Sequence, residues 1–174
     1  MKNVIIRAAI AALVALFAAP SFAAAPQCPA AFRQGGKPPE RELVVACLLE
    51  RLFSQGSAKL GDLLADEAVL IEADGTPFPG RYSGEHLRGF DRIFNATWRD
   101  VSVRVEDIYT SDQGAVALIK LTGTLTSSGR RIEMPILERY LFASDGRVTL
   151  IEPFYFDTDA LLRAAARKNQ LSDT

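Results

Sequence analysis

The chain has one histidine, two cysteines and one tryptophan in 174 residues, and it has almost no net charge, with 20 Lys and Arg against 21 Asp and Glu. One His and two Cys cannot fill a four-ligand structural zinc site, so no metal is expected. A balance of −1 leaves no basic stripe for a phosphate backbone, and nucleic acid is not an expected partner. No G-x-x-x-x-G-K-S/T or G-x-G-x-x-G run occurs, which removes the P-loop and dinucleotide-binding classes, and no cofactor is expected. After residue 23 no long apolar run remains, so the mature chain has no expected membrane span.

What the sequence has in excess sits at its start. Residues 1–23 combine Lys2 and Arg7, an uncharged run over 8–22, and small residues at Ser21 and Ala23, the pattern of a secretory signal peptide. That run is shorter than the roughly 18 apolar residues of a spanning helix. Removing the leader leaves 18 basic against 21 acidic side chains and an ordinary apolar fraction. The expected location is secreted or periplasmic. Export meets an oxidising compartment, where Cys28 and Cys47 have two open states. One is a disulfide between tail and first helix, worth about 3 kcal/mol by loop closure. The other is a buried Cys47 with a free Cys28 thiol.

Residues 24–39 carry four Pro and two Gly without periodicity and read as an extended tail, followed by one domain over 40–168 and a C-terminal tail over 169–174. Apolar residues from Leu43 to Phe53 recur at three- and four-residue spacing, which predicts a helix over 40–54. A second short helix is expected over 58–65, with Leu60, Leu63 and Leu64 inward. A strand over 68–73 ends at Asp74-Gly75, and Pro77 and Pro79 make the next stretch irregular. Ser83 is placed to cap a third helix to about residue 96, burying Leu87, Phe90, Ile93 and Phe94. Strand-like runs over 102–109, 115–125, 132–142 and 148–156 are separated by short turns, so they pair as an antiparallel meander. A last helix is expected over 158–167, with Leu161, Leu162 and Ala165 on one face. Segregation of helices from strands makes the class α+β.

The runs LGDLLADEAVLIE at 60–72, GRYSGEHLRGF at 80–90, SDGRV at 144–148 and IEPFYFDTDALL at 151–162 carry a resemblance. Over residues 40–166 the chain resembles the nuclear transport factor 2-like superfamily, which includes ketosteroid isomerase, SnoaL-like polyketide cyclases and limonene epoxide hydrolase. The resemblance implies a cone-shaped curved antiparallel sheet wrapped around three N-terminal helices, with a C-terminal helix and an apolar pocket. It implies a small apolar or amphipathic ligand. Phe90, Phe94, Trp98, Leu137 and Tyr155 are candidate pocket walls, with plain core packing as the alternative for each aromatic.

Glu72 ends an apolar strand, where alternation can point it into the pocket. A desolvated carboxylate there would serve as a general base, and it falls near the catalytic Asp position of ketosteroid isomerase. The alternative is a solvated Glu before the turn. The isomerase's oxyanion groups are missing, because Leu48 or Leu49 and Pro135 stand at their positions, so steroid isomerisation is not expected. Asp157 is a second catalytic candidate that helix capping alone would explain. Glu138 and Arg139 are adjacent on one strand and point to opposite faces, which reads as surface and dimer-face charge. The single His86 is expected on an exposed helix position. In the last strand both alternations are largely apolar, which points to a homodimer through the convex sheet face. Three readings stay open: a small-molecule binder, an isomerase or cyclase using Glu72, and a dimeric accessory module.

Overall fold

The computed structural model describes residue 28, residues 39–55 and residues 60–166; the expected leader at 1–23, most of the expected tail at 24–39 and the expected C-terminal tail at 169–174 lie outside the described residues. Helix α1 (Arg41–Gln55) buries Val44, Val45, Cys47, Leu48 and Leu49, the stripe that the three-and-four spacing dictates. The sulfurs of Cys28 and Cys47 are joined, with Cα atoms 5.5 Å apart, so the tail is tied to the middle of α1.

Among the described residues six strands, β1 (Leu64–Glu72), β2 (Gly80–Ser83), β3 (Trp98–Ser111), β4 (Gly114–Leu125), β5 (Arg131–Phe142) and β6 (Val148–Tyr155), form one sheet in the order β2-β1-β6-β5-β4-β3. Strands β3, β4, β5 and β6 are the expected antiparallel meander. Strand β1 joins the sheet beside β6 in parallel, with Leu70 opposite Ile151, so the sheet is not wholly antiparallel. Strand β2 pairs antiparallel with Val69–Glu72 at the sheet edge. The two prolines exclude regular structure only up to residue 79, and the chain resumes pairing directly after them.

Among the described residues three helices precede the meander; α1 is the first expected helix, and the other two differ from expectation. The helix expected over 58–65 is absent over its described part: Leu63 and Leu64 donate to the Leu60 carbonyl at 2.8 and 3.1 Å, making one turn before β1 begins. Val148 N–H donates to the Leu63 carbonyl at 2.9 Å and draws the chain onto β6. Leu60, Leu63 and Leu64 are buried either way, so their spacing does not separate the two outcomes.

The third expected helix is broken at Gly89 into α2 (Gly84–Arg88) and α3 (Phe90–Thr97). Glycine is among the weakest helix formers, and the break lets Phe90 pack edge-on against Phe78 and Tyr82. Ser83 has the extended backbone of an N-cap but makes no side-chain cap bond, and Ile93 is exposed rather than buried. Helix α4 (Thr158–Ala165) starts where expected and buries Leu161 and Ala164, while Leu162 is exposed. No helix among the described residues is long and apolar enough to cross a membrane.

Candidate functional site

Helices α1, α2 and α3 cover the concave face of the sheet without filling it, and a cavity of about 350 Å³ remains between them. Its walls are mostly apolar. Leu52 and Phe53 come from α1, Phe90 and Phe94 from α3, and Ile119, Ile136 and Ile151 from the sheet. Into this surface project the carboxylates of Glu72 and Glu138 and the hydroxyl of Tyr155.

Strand alternation places both acids. On β1 the inward set is Ala68, Leu70 and Glu72, all buried, so Glu72 takes the next inward position of an apolar row. It is 5% exposed. The Tyr155 hydroxyl donates to Glu72 Oε2 at 3.0 Å. Burial pushes the Glu72 carboxyl up to about 8; the Tyr155 hydrogen bond opposes that rise, and the nearby Glu138 adds to it.

On β5 the inward set is Met134, Ile136, Glu138 and Tyr140, each buried. Glu138 is 7% exposed, and burial raises its carboxyl to about 7. Tyr140 lies close enough on the same strand face to temper that rise, yet its buried hydroxyl makes no hydrogen bond of ordinary geometry. Arg139 faces outward and pairs with Glu152 at 2.9 Å. The two neighbours do point to opposite faces, but reading Glu138 as surface charge fails. A carboxylate interrupting the otherwise apolar alternation of Met134, Ile136 and Tyr140 is the sequence signal that marks it. Pro135, the position compared with the isomerase acid, is exposed on the other face.

The remaining sequence candidates divide. Phe90, Phe94 and Tyr155 line the cavity beside Glu72. Trp98 does not; it is 2% exposed, stacks on Phe94 and leaves its indole N–H unpaired in the core. Leu137 is also outside the cavity, because it lies between the inward residues Ile136 and Glu138 and pairs with Leu118 and Phe154. Asp157 is exposed and accepts from the Ala160 N–H at 2.7 Å as the N-cap of α4, away from the cavity lining. His86 is exposed on α2. Among the described residues no group of three or more His, Cys, Asp and Glu is placed to hold a metal ion.

Solved structures share this architecture. A nuclear transport factor 2-like protein of unknown function from Burkholderia pseudomallei superposes with a TM-score of 0.64 at 18% identity, over 71% of this chain and 95% of that one. A protein assigned as a SnoaL-like polyketide cyclase from a Jannaschia species gives 0.60 at 17% identity, over 76% and 99%. TerC, co-crystallised with polyporic acid, gives 0.61 at 12% identity, over 70% and 95%. Identities this low carry the fold alone. No curated protein matches the chain. The SnoaL-like domain model matches residues 45–151, from the middle of α1 through Ile151 on β6. The chain belongs to the SnoaL-like domain family, with the cone fold of nuclear transport factor 2-like proteins.

Proposed function

We propose that this domain binds a small amphipathic molecule in the cavity under α1 and α3. The observation that carries the reading is a hydrogen-bonded Glu72–Tyr155 pair set into an otherwise apolar wall. Cavities of a few hundred Å³ with few convergent polar groups suit small ligands, and the polar pair fixes their orientation. Native mass spectrometry of the protein isolated from its producing cells tests this. The expected spectrum shows an adduct of a few hundred daltons that is lost on unfolding. No adduct, together with no thermal shift from any member of an amphipathic ligand panel, overturns the reading.

A second reading is favoured by the protonation of the site. Burial raises Glu138 to about 7 and Glu72 to about 8, so both carboxyls exchange protons close to neutral pH. An isomerase or cyclase step with Glu72 as general base needs its ionised carboxylate, a form that grows as pH approaches 8, with Glu138 as the second carboxyl that can pass the proton on. The name of the Jannaschia relative is compatible with that chemistry.

Two further parts of the reading lie on the exterior. Export of the chain through its leader agrees with the Cys28–Cys47 disulfide. A homodimer through the convex face is supported by Leu118, Leu137 and Phe154, which occupy one register row on that face and are rimmed by the Arg139–Glu152 and Lys120–Glu133 ion pairs. Phe154 is 49% exposed. Sedimentation at micromolar concentration is expected to give twice the monomer mass, and Phe154→Glu is expected to return it to one. A monomer in the wild type rules the dimer out.

A further inference from the structure

We infer that the cavity is built for an amphipathic cation, an organic ammonium whose charged head lies between Glu72 and Glu138 and whose apolar body lies along Phe53, Phe90 and Phe94. The inference rests on the small-molecule reading above and names the chemical class of the ligand.

Among the described residues the lining has two buried acidic side chains, Glu72 and Glu138, and no Lys, Arg or His. Buried carboxylates are ordinarily matched by a cation or by several donors. Among the described residues Glu72 has a single hydrogen-bond donor, the Tyr155 hydroxyl. Glu138 is more than nine-tenths buried, and no ion pair and no hydrogen bond of ordinary geometry holds it among the described residues; the adjacent Tyr140 hydroxyl is itself without a partner. Its carboxylate lines the cavity with the Tyr140 hydroxyl as its neighbouring donor and no cation beside it among the described residues.

The sheet register puts the two acids on either side of one strand. Glu138 pairs with Pro153, and Glu72 stands two residues beyond Leu70, whose partner Ile151 stands two residues before Pro153. Their backbones are thus two strand spacings apart, about 10 Å, with both side chains on the concave face. Pro153, the inward residue of β6 at that level, lines the wall between them, and a head group over it would reach both carboxylates. Phe53, Phe90 and Phe94 line the helical side and supply aromatic surface to the same ligand. An anionic ligand would add negative charge to a low-dielectric site that already holds two buried acids.

Proton linkage gives the inference a distinctive signature. A bound cation favours the ionised carboxyls, so binding expels protons and affinity rises with pH across the range in which Glu72 and Glu138 titrate. The other titratable groups facing them are Tyr155 on β6, Tyr140 on β5, Tyr82 on β2 and Asp91 on α3. The three tyrosines are all pushed above their ordinary value and stay neutral throughout that range.

Isothermal titration of the purified protein with benzyltrimethylammonium, whose charge is permanent, and with neopentylbenzene, its neutral isostere, tests this at pH 6 and pH 8.5. The cation is expected to bind about tenfold or more tighter at pH 8.5, with proton release visible in buffers of different ionisation enthalpy, while the isostere gains nothing. Glu138→Gln is expected to lower cation affinity at pH 8.5 about tenfold and to leave the isostere bound; Glu72→Gln serves as an independent second variant. Binding of the isostere with no preference for the cation overturns the cation inference and leaves small-molecule binding intact. Binding of neither probe at either pH overturns both.

Discussion

Replacing Glu72 by Gln is expected to raise the free energy of unfolding at pH 9 by up to about 5 kcal/mol and to leave it unchanged near pH 4. The folded carboxyl titrates at about 8, whereas the unfolded one titrates at the ordinary 4.5. Below 4.5 both states are protonated and burial of the neutral acid carries no titration penalty. Between 4.5 and 8 the unfolded chain releases its proton while the folded chain keeps it, so stability falls as pH rises, by up to about 1.4 kcal/mol per pH unit. Above 8 the loss is complete. Gln has no proton to lose and retains an amide oxygen that can accept from the Tyr155 hydroxyl, so it preserves the local contact and removes the pH dependence. Urea unfolding of wild type and Glu72→Gln at pH 5, 7 and 9 reads this directly, and the gap between the two should widen with pH. Parallel curves would mean that Glu72 is solvated and would end both the general-base and the cation readings. Glu138, near 7, contributes a smaller decline of the same sign, so the wild-type slope should not vanish entirely in the single variant.

The residues that made the cone legible in the sequence are those whose spacing admits one outcome. Alternation through β4, β5 and β6, broken by short polar turns, fixes an antiparallel meander, and the stripe from Val44 to Leu49 fixes α1. Where the pattern is degenerate, tertiary contact decides. Leu60, Leu63 and Leu64 satisfy a helix and a turn-to-strand transition equally well, and the hydrogen bond from Val148, more than eighty residues later, selects the second. Glu72 was legible because it terminates an apolar alternation, whereas its partner across β6 was hidden by the adjacent Arg139. A charged dipeptide looks like surface when read as a pair; it resolves only when each residue is assigned to its own face. Trp98 and Leu137 fail as pocket walls for a related reason, since apolar character does not reveal whether a side chain meets a cavity, the packed core or the outer face.

Reduction of the Cys28–Cys47 disulfide is expected to lower stability by about 3 kcal/mol, roughly a 10 °C fall in melting temperature for a domain of this size. The sequence separation of 19 residues sets the loop whose closure restrains the unfolded chain. Cys28→Ala is the informative variant, because it breaks the bridge while leaving Cys47, which is fully buried in α1, in place. Wild type in reductant should melt with Cys28→Ala, and that variant should ignore reductant. The effect should reach the cavity as well, since Leu52 and Phe53 belong to the same helix and line it. A ligand that holds α1 against the sheet is therefore expected to recover part of the lost stability in Cys28→Ala by mass action. Wild type that melts identically with and without reductant would instead assign the anchoring of α1 to the packing of Val44, Val45 and Leu48 alone.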